Sequence, residues 1–142
     1  MTYRKILIAV DESPVAEEVA ITGFQFGQQL NAEMALVSVV DTNFLITGEG
    51  ATPKELADTI KNDLKNNQQV LIDKIFKDYK IRTFVEVGQP YEMILKVATE
   101  WAADLIVIGT HGKTGISNLL MGSIAEHVVR HSKIPVLVVP SK

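Results

Sequence analysis

Apolar positions along this chain follow two alternating patterns: short unbroken runs rich in Val and Ile, and longer stretches where they recur every three or four residues on a charged background. The first run, Ile6-Leu7-Ile8-Ala9-Val10, reads as a strand covered on both faces, because a half-buried strand would alternate. Asp11-Glu12-Ser13-Pro14 stops it. Ser13 as N-cap, Pro14 as first helical residue, and Glu17 and Glu18 near the positive end predict a helix reaching Leu30. Ala35 to Val40 is a second buried-type strand, ending at Asp41. Thr42 to Pro53, with Gly48 and Gly50, shows no period and is the longest loop. Leu56, Ile60, Leu64, Leu71 and Ile75 then recur at helical spacing and predict one long amphipathic helix from Pro53 to Tyr79.

Arg82 to Val87 alternates as a third strand, and Gly88-Gln89-Pro90 turns into a helix with Ile94, Val97, Ala98 and Trp101 on its apolar side. Leu105 to Ile108 is a fourth strand, followed by a glycine-bearing stretch from Gly109 to Gly122. Ser123 to His131 reads as a helix and Ile134 to Val139 as a fifth strand. Alternating strands and helices predict right-handed βαβ units: an α/β, Rossmann-like, open five-stranded sheet, mostly parallel, with helices on both faces. No composition shift, repeat or low-complexity tract divides residues 1–142, so a single domain is expected.

Composition narrows the function without naming it. The 142 residues are 46% hydrophobic and 22% charged, with a net charge of −3 and no cysteine. Disulfides, thiolate metal sites and cysteine nucleophiles are thereby excluded, and a reducing compartment, the cytoplasm, is the expected location. The apolar run behind Arg4 and Lys5 is too short for a signal peptide, and no stretch approaches the ~18 apolar residues of a membrane span. Scattered lysines argue against a nucleic-acid surface, which needs clustered positive charge. Lys61, Lys65, Lys74, Lys77 and Lys80 are interleaved with acids and asparagines and read as the wet face of the long helix.

In an open α/β sheet, ligands bind beyond the carboxyl ends of strands, where strand order reverses. The informative ends are Val10-Asp11 and Ile108-Gly109. Gly109 and Gly112 let backbone amides approach a ligand closely, and Gly122-Ser123 opens a helix whose first amides have no internal partners. Two groups of N–H donors converging there suit a phosphate chain, although glycines after a strand also serve plain turns. Val107 stands where a Walker A loop ending Gly112-Lys113-Thr114 needs its first glycine, and the spacing Gly109, Gly112, Gly115 is not a dinucleotide fingerprint.

Gly109, two residues, Gly112, nine residues, then Gly122-Ser123 matches the Gly-x2-Gly-x9-Gly-Ser/Thr signature of the ATP-binding branch of the universal stress protein (UspA-like) family. The chain resembles that family over its length, through Lys5 to Asp11, Val39-Val40-Asp41, Gly88-Gln89-Pro90, Asp104 to Gly109 and Pro135 to Val139. Glu12 departs from the small residue common after the first aspartate.

The resemblance implies an adenine nucleotide, ATP or in its place ADP or AMP, with Mg2+ or Mn2+ carried on the phosphates. Adenine would lie near Ala9, Val10, Asp11 and Val39, and ribose and phosphates along Gly109, His111 and Gly112 to Gly122, Ser123 and Ile124. It also implies a homodimer formed through Ile134 to Val139, an apolar strand expected at the sheet edge.

Donors without an evident nucleophile, base or arginine finger favour a regulatory or stress-response binder with slow or no hydrolysis. A true ATP hydrolase or phosphotransferase, and a nucleotide-free dimeric interaction module, are the alternatives. His111 is expected to contribute its backbone amide rather than acid–base chemistry. His127 and His131 have metal-ligand spacing but no third ligand in view, so packing or surface roles are expected of them, as packing is of Trp101 and Met121.

Overall fold

A computed structural model describes residues 2–45, 52–111 and 121–141. Its elements are β1 (Lys5–Ala9), α1 (Ala16–Leu30), β2 (Glu33–Asp41), a 3-10 turn (Thr42–Phe44), α2 (Pro53–Leu71), β3 (Ile81–Gly88), α3 (Pro90–Trp101), β4 (Leu105–Gly109), α4 (Ser123–His131) and β5 (Val136–Val139). The five strands lie in the order β3-β2-β1-β4-β5, and every neighbouring pair is parallel. The chain steps outward from β1 to β3, then crosses back to β4 and β5. Strand order therefore reverses between β1 and β4.

The unbroken apolar strands are explained by two packed faces. Ile6, Ile8 and Val10 join Val19, Ala20, Leu71 and Phe76 on the side of α1 and α2, while Leu7 and Ala9 join Ile94, Val97, Ala125 and Val128 on the side of α3 and α4. Trp101 is buried in the second cluster and Met121 packs against it, so packing accounts for both. Among the described residues no helix is long and apolar enough to cross a membrane.

Three local expectations are corrected. α1 begins at Ala16 rather than Pro14, and Ser13 does not cap it with its side chain. The Asp11 carboxylate accepts from the Ser13 amide (2.9 Å), and the Ser13 carbonyl accepts from Ala16 N (3.1 Å), so Asp11 organises a turn before the helix. The expected helix from Pro53 to Tyr79 is α2 followed by a π-helical turn, Ile72–Phe76, closed by Lys77 N donating to the Ile72 carbonyl at 3.0 Å. Widening this turn goes with seating Phe76, fully buried, edge-on to Phe24 at 5.1 Å between ring centroids. β5 starts at Val136 rather than Ile134 because the Ser132 hydroxyl bonds both the carbonyl (2.7 Å) and the amide (3.2 Å) of Ile134, and Pro135 has no N–H for a ladder.

The loop expected from Thr42 to Pro53 is described at its ends, and residues 46–51 lie outside the described residues. Its exit carries a capping box: Thr52 Oγ1 accepts from Glu55 N (3.1 Å) and Glu55 Oε2 accepts from Thr52 N (3.3 Å).

Candidate functional site

Strand register opens a crevice at one end of the sheet. Pairing of β1 with β4 stops at Ile8 and Val107, and pairing of β1 with β2 stops at Ala9 and Val37. The outer pairs run further, β2–β3 to Asp41 and Gly88, and β4–β5 to Gly109 and Val139. At the opposite end Asp104 Oδ2 accepts from the amides of Arg4 (2.8 Å) and Lys5 (3.0 Å), clasping β1 to β4. The sheet is thus tied at its amino end and unpaired in the middle at its carboxyl end, the place where ligands bind in open α/β folds.

One half of the crevice is built from β4 and the start of α4. Gly122 N donates to the Thr110 carbonyl at 2.6 Å, so the helix start sits directly on the strand end. A Cβ on Gly122 would lie 3.0 Å from that carbonyl oxygen and 3.5 Å from His111 Cα, and one on Gly109 would lie 3.0 Å from Val19 Cγ2. Both glycines sit at close approaches that a side chain would tighten. Among the described residues no side chain caps α4, and its first internal bond is Glu126 N to the Gly122 carbonyl, 3.0 Å. The helix donors directed outward therefore begin with Ser123, Ile124 and Ala125 rather than with Gly122, whose amide is used by Thr110.

His111, half-buried, places Nδ1 3.4 Å from Ser141 Oγ, and its Nε2 is buried with no hydrogen-bond partner among the described residues. Ser123 and Ile124 are exposed at the mouth. Gly112 and Lys113 lie outside the described residues.

The other half is built from β1, β2 and α2. Ala9 and Val39 share the face toward α3 and α4, whereas the Val10 side chain is buried in the opposite core. Val10 N donates to the Val37 carbonyl (3.0 Å), and the Val10 carbonyl accepts from Ser38 Oγ (2.8 Å). The Asp11 carbonyl accepts from Asn67 Nδ2 at 2.9 Å. Gln68, 2% exposed, donates through Nε2 to Ser38 Oγ and to the Phe84 carbonyl, each at 3.0 Å. Glu12 is exposed, turned away from this bonding.

Sequence reasoning missed Ser38, Asn67 and Gln68. Ser38 was detectable as a lone hydroxyl inside an apolar run, and Gln68 as an amide in line with Leu64 and Leu71 on the buried stripe of α2.

The histidine pair on α4 is engaged in ring stacking and a main-chain bond. His127 and His131 stack on Tyr91 at 4.8 and 5.5 Å between ring centroids, and His127 Nδ1 donates to the Ser123 carbonyl at 2.7 Å. Among the described residues there is no group of three His, Cys, Asp or Glu able to hold an ion.

Comparison with known proteins places this geometry. The profile of the universal stress protein family matches residues 2–140. The chain belongs to that family. Universal stress protein MJ0577 of Methanocaldococcus jannaschii is 31% identical over 99% of this chain and 96% of its own length. Its solved structure superposes with a TM-score of 0.83 over 100% of this chain and 99% of that one, at 30% identity. A second universal stress protein of the same organism, MJ0531, is 35% identical over 96% of this chain and 82% of its own length. The Archaeoglobus fulgidus universal stress protein solved in complex with dAMP shares the fold, with a TM-score of 0.67 at 21% identity over 97% of this chain and 98% of that one.

Proposed function

We propose that this universal stress protein binds an adenine nucleotide, ATP in the first instance, across the carboxyl ends of β1 and β4, and acts as a regulatory or stress-response protein that hydrolyses it slowly or not at all. The observation that carries the reading is the contact of Gly122 with Thr110, which sets an α-helix N-terminus, without a side-chain cap among the described residues, beside the strand end at the reversal of strand order. Such an end presents N–H groups and a positive dipole to an anion. Gly109, His111, Gly112, Gly122, Ser123 and Ile124 would serve ribose and phosphates, and Ala9, Val10, Asp11 and Val39 the adenosine. The structural neighbour in complex with dAMP supports an adenine mononucleotide as the ligand class.

A divalent cation, Mg2+ or Mn2+, would enter carried on the phosphates. The slow-turnover reading is supported by the setting of His111, which meets the Ser141 hydroxyl rather than an orienting carboxylate. Calorimetric titration of the purified chain with ATP, in the presence and absence of Mg2+, tests the reading. Saturable one-to-one binding without turnover is expected. Many turnovers per minute that are lost in Ser123→Ala or His111→Ala would establish a hydrolase instead, and the absence of binding would favour the nucleotide-free interaction module.

Dimerisation through β5 is part of the same proposal. β5 is an apolar edge strand beside a groove of about 330 Å3 lined by Tyr3, Phe26, Leu30, Val136 and Leu137. An apolar edge with unpaired ladder groups is stabilised by a second strand. Light scattering is expected to give a dimer at micromolar concentration, and a monomer there removes this part of the reading.

A further inference from the structure

We propose that Asn67 and Gln68 of α2 are positioning residues for the adenosine half of the cleft, setting the main chain at Val10 and Asp11 against which base and ribose rest. The inference depends on the nucleotide-binding reading above and adds to it the residues that shape its site from a distance.

The Val10 and Asp11 carbonyls lie past the last β1–β2 ladder pair, Ala9 with Val37. Main-chain pairing with β2 reaches only the Val10 amide, so the two carbonyls are held by side chains, one from β2 and one from α2. Asn67 Nδ2 donates directly to the Asp11 carbonyl, 2.9 Å. Gln68 acts through a relay. Its amide nitrogen donates to Ser38 Oγ and to the Phe84 carbonyl, each 3.0 Å, and the Ser38 hydroxyl donates to the Val10 carbonyl, 2.8 Å.

The relay has one direction. Gln68 Nε2 carries two hydrogens and both have acceptors, so Ser38 receives one and is left to donate its own toward Val10. Adjacent residues on one helix, Gln68 through Ser38 and Asn67 directly, thus fasten the two consecutive carbonyls that follow β1.

Side-chain packing alone does not call for an amide at position 68. Gln68 occupies the buried stripe of α2 between Leu64 and Leu71, where an apolar residue would pack without an amide to satisfy. What the buried amide adds is a fixed main-chain geometry at the strand end, which preorganises a binding surface.

The test is titration of the full chain with adenosine, AMP, ADP and ATP, comparing wild type with Asn67→Ala, Asn67→Leu and Ser38→Ala. Asn67→Leu keeps the size and removes the donor without adding charge, and Ser38→Ala breaks the relay while leaving Gln68 bonded to Phe84. Each variant is expected to weaken all four ligands by one common factor, about five- to tenfold, as loss of a single aligned hydrogen bond gives. Ser123→Ala, at the phosphate end, serves as the contrast, because its loss should grow from adenosine to ATP. Loss of folded chain would also weaken all four ligands by one common factor, so urea midpoints are measured alongside, and an unchanged midpoint with weakened binding is the expected result.

Wild-type affinity for adenosine in both Asn67 variants, or a loss that rises with phosphate number, overturns the positioning role and leaves nucleotide binding intact. A wild-type chain that binds none of the four ligands overturns both readings.

Discussion

The two halves of the cleft are made in opposite ways. On the β1 side, main-chain groups are fastened by side chains from a distant helix: Asn67 on Asp11, and Gln68 through Ser38 on Val10. On the β4 side, main chain meets main chain, and what matters is the lack of a side chain at Gly109 and Gly122. A surface held by side-chain amides is suited to a rigid aromatic ligand, whereas closely approached backbone N–H groups are suited to a charged chain. The proposed nucleotide, with its base and its phosphates, would match that difference between the halves.

Changes at the two halves should accordingly be felt differently. Gln68→Leu removes the shared donor of the β1 side, leaving the Phe84 carbonyl without that bond and Ser38 with only its bond to the Val10 carbonyl, and is expected to lower stability by about 2–3 kcal/mol in urea unfolding. A loss well below that would mean the brace is not structural. Gly122→Val drives side-chain atoms against the Thr110 carbonyl and should displace the α4 start. ATP affinity is expected to fall about 30-fold, roughly 2 kcal/mol, with adenosine affinity changed less than about threefold by calorimetry. Equal losses for the two ligands would abolish the distinction drawn here.

Ser123→Ala should weaken ATP by about fivefold, near 1 kcal/mol, through one hydroxyl, with no change in urea midpoint. Smallest of all, raising ionic strength from about 0.05 to about 0.5 M should weaken ATP roughly threefold and leave adenosine unaffected, because screening acts on the charged half alone.

The edges of the sheet show a parallel contrast. β3 carries Arg82, whose guanidinium lies over the Phe84 ring at 5.2 Å, and Glu86, which meets Lys96 at 3.9 Å. β5 reads Val136-Leu137-Val138-Val139, with Phe26 and Leu30 exposed alongside. Charge discourages pairing at one edge and its absence favours pairing at the other.

Much of this was legible in the residue pattern. Runs such as Ile6 to Val10 announce strands buried on both faces because the two apolar clusters take alternate side chains. The glycines after β4 predict close approach, which Gly109 and Gly122 show, because it is a property of the residue type itself. The capping box at Thr52 and Glu55 was also readable, three residues apart, and the helix start at Pro14 was misjudged because Asp11, not Ser13, supplies the local acceptor.

Local chemistry by itself determined the order of strands and helices, the parallel α/β class and the position of the glycine signature, since each depends on neighbours within a few residues. Tertiary structure decided which polar groups became partners: Ser38 and Val10 are 28 positions apart, and Asn67 and Asp11 are 56 apart. It also decided that the Gly122 amide is consumed by Thr110 and that α2 ends in a widened turn to seat Phe76 against Phe24. Periodicity reports which face of an element is apolar, whereas the partner of a buried amide is chosen only when packed elements bring an acceptor within about 3 Å.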